Sequence, residues 1–331
     1  MKQVIALGTA VVLAMVALGV ALITGLMLGL AVGAASGAGL GGFAGRGVAG
    51  LERQLGGTGP EKIAIIKVIG PISQEVGGFF GVGASSRQVV ALLDRAQNDA
   101  QVRGVILDMN TPGGGVTASS EIHQKLLAVR RTGKTVVTLM TEVAASGGYY
   151  IAAGTDHIVA DPTTITGSIG VIVALANIQE LSRKIGLRTI VFKSGEFKDM
   201  GSPDRPVSRQ EAALFQGLVN EAYARFVDVV ATGRKMDRAR VRQLADGRIY
   251  TGQQAQRLGL VDSLGHLPQA IEVAKKRARL DDPLIVEYGT EGLLRSLLGA
   301  TSRQVRAWLG GPAALVPDLY RPFSVQYLMT P

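Results

Sequence analysis

The chain of 331 residues carries 35 basic and 26 acidic residues, a formal charge of +9, and is 47% hydrophobic, a composition that supports a real core and excludes a disordered chain. It has no cysteine, which removes thiol catalysis, thiolate metal sites and disulfides. His123, His157 and His266 lie far apart and outside metal-ligand spacing, so no metal is expected; without zinc-finger spacing or a basic run interleaved with aromatics, neither is nucleic acid.

Between Lys2 and Arg46 there is no charged residue, and Val4 to Val32 is almost wholly apolar. That run exceeds the roughly 20 residues needed to cross a bilayer, so a single transmembrane helix in contact with membrane lipid is expected. A cleaved signal peptide ending near Ala34-Ala35-Ser36 is the alternative, although its apolar region would be longer than the usual ~7–15 residues. Lys2 favours a cytoplasmic start, which places the body of the chain on the extracytoplasmic side of the cell membrane. The expected organisation is an anchor over 1–35, a glycine-rich linker over 36–59, a folded domain over 60–280 and an amphipathic, proline-containing tail over 281–331.

Lys62 to Ile69 reads as a strand closed by Gly70-Pro71. A helix from Ser85 or Ser86 to about Gln97 follows, then an apolar strand over Val102 to Met109, and a helix over Ala118 to Arg130. Further strands are expected at Thr135 to Met140, His157 to Ala160 and Arg188 to Phe192, the last preceded by a helix through Leu175, Ile178, Leu181 and Ile185. Beyond it come a long helix from Arg209 to Ala231, shorter helices over Arg234 to Leu244 and Gln253 to Leu258, a turn at Ile249 to Gly252, an edge-like strand near Gly259 to Asp262 and a helix over Leu267 to Arg279. Strands with little polar alternation, joined by crossover helices, predict an α/β domain around a parallel sheet.

Two junctions carry chemistry. Asn110-Thr111-Pro112-Gly113-Gly114-Gly115 lies between a strand and a helix, where glycines let a substrate approach the main chain and amide hydrogens suit a negative oxygen. The phosphate-loop and dinucleotide patterns are missing, so no cofactor is called for. Ser146, in V-A-A-S-G-G-Y-Y-I-A-A over 143–153, stands where a strand meets a helix start, either as a displayed nucleophile or as a helix cap. A serine nucleophile needs a base, and no histidine is suggested by local spacing. Lysine serves if it is held neutral, and chemistry alone leaves Lys193 and Lys198 both open.

Four segments decide the resemblance: A-A-S-G-G-Y-Y-I-A-A at 144–153, N-T-P-G-G-G-V at 110–116, G-S-I-G-V at 167–171 and K-S-G-E-F-K-D-M-G-S-P at 193–203, supported by Y-T-G-Q-Q-A-Q-R-L-G-L-V-D-S-L-G at 250–265. Together they resemble the bacterial signal peptide peptidase A family, peptidase family S49, over about Lys62 to Lys276. The resemblance implies a Clp protease/crotonase-like fold of repeated β-β-α or β-α units and a serine-lysine dyad. It places the nucleophile on Ser146, the general base and acid on Lys198 and a lysine-orienting hydroxyl on Ser168, with backbone amides near Gly113, Gly114 and Gly147 for the oxyanion. It further implies hydrophobic peptide substrates such as signal-peptide remnants, a groove for which Val116, Tyr149 and Tyr150 are candidate walls, and a ring-like homo-oligomer.

Relatives whose tails enter the groove suggest that Tyr327-Leu328-Met329 acts as a built-in substrate or plug; packing on a neighbour or the membrane is the alternative. The competing functions are a related membrane protease that cuts hydrophobic tails of membrane-scaffold proteins, a crotonase-like enzyme acting on acyl thioesters, and a noncatalytic membrane scaffold of the same fold.

Overall fold

The computed structural model of the chain describes residues 52–75, 83–289 and 326–328. The expected membrane span and most of the expected tail lie outside these residues; among those described, no helix is long and apolar enough to cross a membrane.

The strands are β1 (Glu52–Gly56), β2 (Lys62–Ile69), β3 (Ile72–Ser73), β4 (Ala84–Ser85), β5 (Val102–Thr111), β6 (Gly113–Gly115), β7 (Thr135–Ala145), β8 (His157–Ala160), β9 (Ile165–Gly167), β10 (Ile249–Thr251), β11 (Ser263–Leu264), β12 (Leu284–Tyr288) and β13 (Gln326–Leu328). The helices are α1 (Ser86–Asn98), α2 (Val116–Arg131), α3 (Gly147–Ala152), α4 (Gln179–Lys184), α5 (Arg209–Arg234), α6 (Arg238–Leu244), α7 (Gly252–Arg257) and α8 (Leu267–Ala278).

The main sheet runs β1-β12-β2-β5-β7-β8-β11, with β9 beside the far end of β7 and β10 beside β9. From β12 to β11 every pairing is parallel. Apolar residues cover both faces, which is why the strands read as mainly hydrophobic runs with little polar alternation. On β2, Ala64, Ile66 and Val68 join the larger core, while Ile63 and Ile65 point the other way, into a smaller core with Ala270 and Ala274 of α8. Each fully buried Ile or Leu contributes about 1.5–3 kcal/mol, so these alternating rows fix the register: a slip by one residue would exchange the two faces.

β7 is longer than its apolar run predicts. Val137 to Met140 pair with β8, whereas Val143 to Ala145 continue past β8 and pair with β9. A second, small sheet in the order β13-β6-β3-β4 lies at the end where β5 and β7 finish. The crevice beyond the carboxyl ends of parallel strands is where α/β sheets characteristically bind ligands.

Four expectations are corrected. The helix expected through Leu175 to Ile185 contracts to α4, and Arg188 to Phe192 joins no strand among the described residues. Ile190 is 78% exposed and Phe192 94%, so this segment leaves apolar side chains uncovered among the described residues. The residues read as a turn at Ile249 to Thr251 form β10, and β12 lies within the stretch expected to be tail.

Candidate active site

Ser146 follows the last residue of β7 and precedes α3. Its backbone has φ 54° and ψ −115°, a conformation that L-residues rarely adopt and that costs on the order of 1–3 kcal/mol. Hydrogen bonds on both sides hold it there: its N–H donates to Gly167 O at 2.8 Å, and its carbonyl accepts from Tyr150 N at 2.9 Å. The side chain is not a helix cap, since it makes no capping hydrogen bond. Only 1% exposed, its Oγ has no hydrogen-bond partner among the described residues. A strained backbone that buries an unpaired hydroxyl suits a group reserved for something not yet bound.

The glycine segment arrives from the neighbouring strand, because Thr111 of β5 pairs with Ala144 of β7. A Cβ on Gly147 would meet Ser119 Oγ at 2.5 Å, Gly114 N at 3.1 Å and Gly113 Cα at 3.3 Å, so the β6 backbone packs directly on the start of α3. Gly114 must itself lack a side chain, as a Cβ there would lie 2.0 Å from Ile72 O. Gly113 N–H donates to Thr111 Oγ1 at 3.1 Å. Gly147, the first residue of α3, has no intrahelical acceptor for its N–H. Neither Thr111 nor Ser119 was singled out from sequence; their roles arise from contacts across strands.

Ser168 joins this group by register. Ala145 pairs with Gly167, so Ser146 and Ser168 leave adjacent parallel strands together. Ser168 has φ 49°, and its N–H donates to Arg248 O at 2.8 Å. It lines a groove of about 850 Å³ with Val171, Ile172, Tyr223 and Ile249.

Lys198 makes no hydrogen bond to Ser146 among the described residues. It stands exposed on a 3-10 turn, Glu196–Asp199. Lys193, its rival, is committed elsewhere: its Nζ donates to Asp199 Oδ1 at 2.8 Å and to Glu196 O at 2.9 Å. Both contacts turn its Nζ back onto its own loop.

Comparison with known proteins places this arrangement. The model of peptidase family S49 matches residues 128–281. The putative signal peptide peptidase SppA of Enterococcus faecium is 40% identical over 258 residues, which cover 77% of this chain and 74% of that protein. The putative protease MJ0651 of Methanocaldococcus jannaschii is 37% identical over 237 residues, covering 70% of this chain and 76% of that protein. Protease 4 of Haemophilus influenzae is 31% identical over 268 residues, 77% of this chain but 43% of that longer protein.

The chain belongs to peptidase family S49. As an S49 member it is a serine peptidase with an α/β catalytic domain.

Within this S49 domain two proposed groove residues are corrected. Tyr149 and Tyr150 are 0% exposed and belong to the core. Tyr149 donates its hydroxyl to Leu260 O at 2.9 Å, and burial pushes its phenol far above the usual range. Tyr150 stacks edge-on between His123, at 5.1 Å, and Phe226, at 5.2 Å. Large rings at these positions brace α3, and with it Ser146, against α2 and α5. Val116, by contrast, is half-buried and lines a groove of about 980 Å³ with Ile72, Gln74 and Leu218.

The S49 domain also binds its own distant backbone. β13 pairs antiparallel with β6, aligning Tyr327 with Gly114 and Leu328 with Gly113. A segment from beyond residue 325 thus lies as an added strand on the same glycines that pack against Gly147.

Proposed function

We propose that the chain is a membrane-anchored serine endopeptidase that hydrolyses hydrophobic peptides, signal-peptide remnants foremost, with Ser146 as nucleophile and Lys198 as general base and acid. The observation that carries this reading is the buried, unpaired Ser146 Oγ on a strained backbone beside the glycine strand. Neutral Lys198 takes the Ser146 proton as Oγ attacks the peptide carbonyl, then returns a proton to the departing amine. Water activated by the same lysine releases the acyl group. Ser168, beside Ser146, orients the lysine amine. Backbone amides of the Gly113–Gly114 segment and of Gly147 are the oxyanion donors. Losing one such donor typically costs about 10²–10³ in kcat. Substrate enters as an extended strand on β6, the position occupied by Gln326–Leu328.

Because Lys198 is exposed and makes no hydrogen bond to Ser146 among the described residues, the reading includes a second copy. In a ring-like homo-oligomer the exposed apolar segment, with Ile190 and Phe192, packs on a neighbour and delivers Lys198 to that neighbour's Ser146. The proposal retains residues 1–35 as the anchor, followed by a glycine-rich linker, the Clp protease/crotonase-like domain expected over 60–280 and widened by β1 and β12 of its main sheet, and a C-terminal tail. It places the domain on the extracytoplasmic side of the cell membrane.

Turnover of a fluorogenic hydrophobic peptide by the detergent-solubilised assembly tests the assignment. Ser146→Ala and Lys198→Ala each abolish turnover, whereas Lys193→Ala retains it. Co-assembling the two inactive variants restores part of the activity, since some sites then combine an intact Ser146 with a neighbour's intact Lys198. Inactive mixed assemblies that remain intact would show that both groups must come from one chain.

A further inference from the structure

The turn that bears Lys198 is held by an ion-pair cluster that the proposed chemistry does not use directly. Asp199, the next residue, accepts from Arg205 Nε at 3.1 Å on Oδ2 and from Arg205 Nη2 at 2.9 Å on Oδ1. The same Oδ1 accepts from Lys193 Nζ, so the carboxylate is occupied on both oxygens. Arg205 also donates to Glu211, from Nη1 to Oε2 at 2.9 Å and from Nη2 to Oε1. Glu211 is anchored in turn. Its carboxylate accepts from Ser208 N at 2.7 Å and its own N–H donates to Ser208 Oγ at 3.2 Å, closing a capping box on the first turn of α5. Farther along α5, Phe226, Val227 and Val230 are buried in the main core. An unbroken chain of contacts therefore runs from the core through α5, Glu211 and Arg205 to the residue beside Lys198.

Electrostatics give this chain a second consequence. A carboxylate adjacent to a lysine favours the ammonium, the wrong state for a base. Here Arg205 and Lys193 face Asp199, and Arg205 also faces Glu211, so the two carboxylates meet two cations. The other charged groups around the turn are Glu196 on the turn itself, Asp204, which accepts from Thr189 Oγ1 at 2.7 Å, and Arg209 at the start of α5. On the Ser168 side, Asp246 and Arg248 pair with each other.

We infer that Arg205 is a positioning residue for the S49 reaction: it fixes the Lys198 turn to α5 and, with Lys193, takes up the Asp199 carboxylate so that Lys198 can work as a neutral base. The inference rests on the assignment of Lys198 as base. Ordinary planar pairing explains why arginine stands here, since lysine cannot make the forked contacts to both carboxylates at once.

The test is the pH profile of kcat/KM, measured on the full-length assembly, whose rising limb reports deprotonation of the base. Arg205→Ala leaves the carboxylates under-neutralised and moves that limb to higher pH by about half a unit to one unit. Asp199→Asn removes the carboxylate and moves the limb to lower pH, so the two substitutions act with opposite sign. Arg205→Lys keeps the limb near its original position while lowering kcat, because the charge remains and the fork does not. If kcat falls in these variants with the limb unmoved, the cluster is only structural and the inference is overturned. Lys198→Ala, run in parallel, separates the two levels: activity with an unchanged limb in that variant removes the base assignment itself. Should Arg205→Ala fail to assemble, the downward shift in Asp199→Asn decides the matter alone, its absence counting against the inference.

Discussion

Ser146 donates its backbone N–H to Gly167 O, and the residue after that glycine, Ser168, is the partner expected to orient the base. One parallel register, Ala145 opposite Gly167, therefore sets both hydroxyl-bearing residues at the same level, each with a positive φ. The strain at both positions is local, and it is sustained by strand pairing on either side.

Removing the second hydroxyl tests that relationship. Ser168→Ala should lower kcat by about 10²-fold, the scale of a lost acid-base support, with little change in KM. A KM effect alone, from steady-state kinetics on a hydrophobic peptide, would make Ser168 a wall of its groove instead.

Gly147 tolerates no side chain. Gly147→Ala should reduce kcat by at least about 10²-fold, because the new methyl meets Ser119 Oγ and the backbone of Gly114. Adding Ser119→Ala relieves the first clash but not the second, so the double variant should remain impaired while its circular dichroism spectrum stays native.

Detaching the tail should expose the glycine strand. Deletion from Pro312 onward removes the strand paired with β6 and is expected to lower KM for added peptide several-fold. Unchanged peptide turnover and an unchanged oligomer size would count against a plug.

The buried imidazole of His123 provides a stability prediction. Burial first, and then the positive charges of Arg225 and Arg130, hold its pKa down from 6.5 to about 4. Between those values the unfolded chain binds a proton that the folded chain refuses, so stability falls as pH drops through this window and levels off below it. The expected loss from this residue is about 2 kcal/mol between pH 7 and pH 5. Urea unfolding of His123→Phe at both pH values should show that increment removed.

Several features were legible in the residues alone because their causes are local. Lys62 to Ile69 and His157 to Ala160 have the predicted bounds, since strands buried largely on both faces read as mainly apolar runs. The glycine segment and Ser146 also read correctly as strand-to-helix junctions, where backbone geometry restricts the residue types that fit. The signature of α5 was present too: Ser208 and Glu211 stand at capping-box spacing, although the cluster it anchors needs Arg205 and Asp199 folded back onto it.

Tertiary structure decided what depends on contacts between distant residues. Tyr149 and Tyr150 sit beside the nucleophile in sequence, yet the short helix turns them inward against Leu260, His123 and Phe226. Lys193 and Lys198 are indistinguishable by spacing, until Asp199 claims the first and leaves the second exposed. β12 appeared to be tail because a five-residue strand acquires its identity only from its neighbours, β1 and β2. The chain's chemistry by itself determined which groups could react and where the backbone could bend; pairing and burial determined which of them face one another, because those energies depend on surfaces brought together from far along the chain.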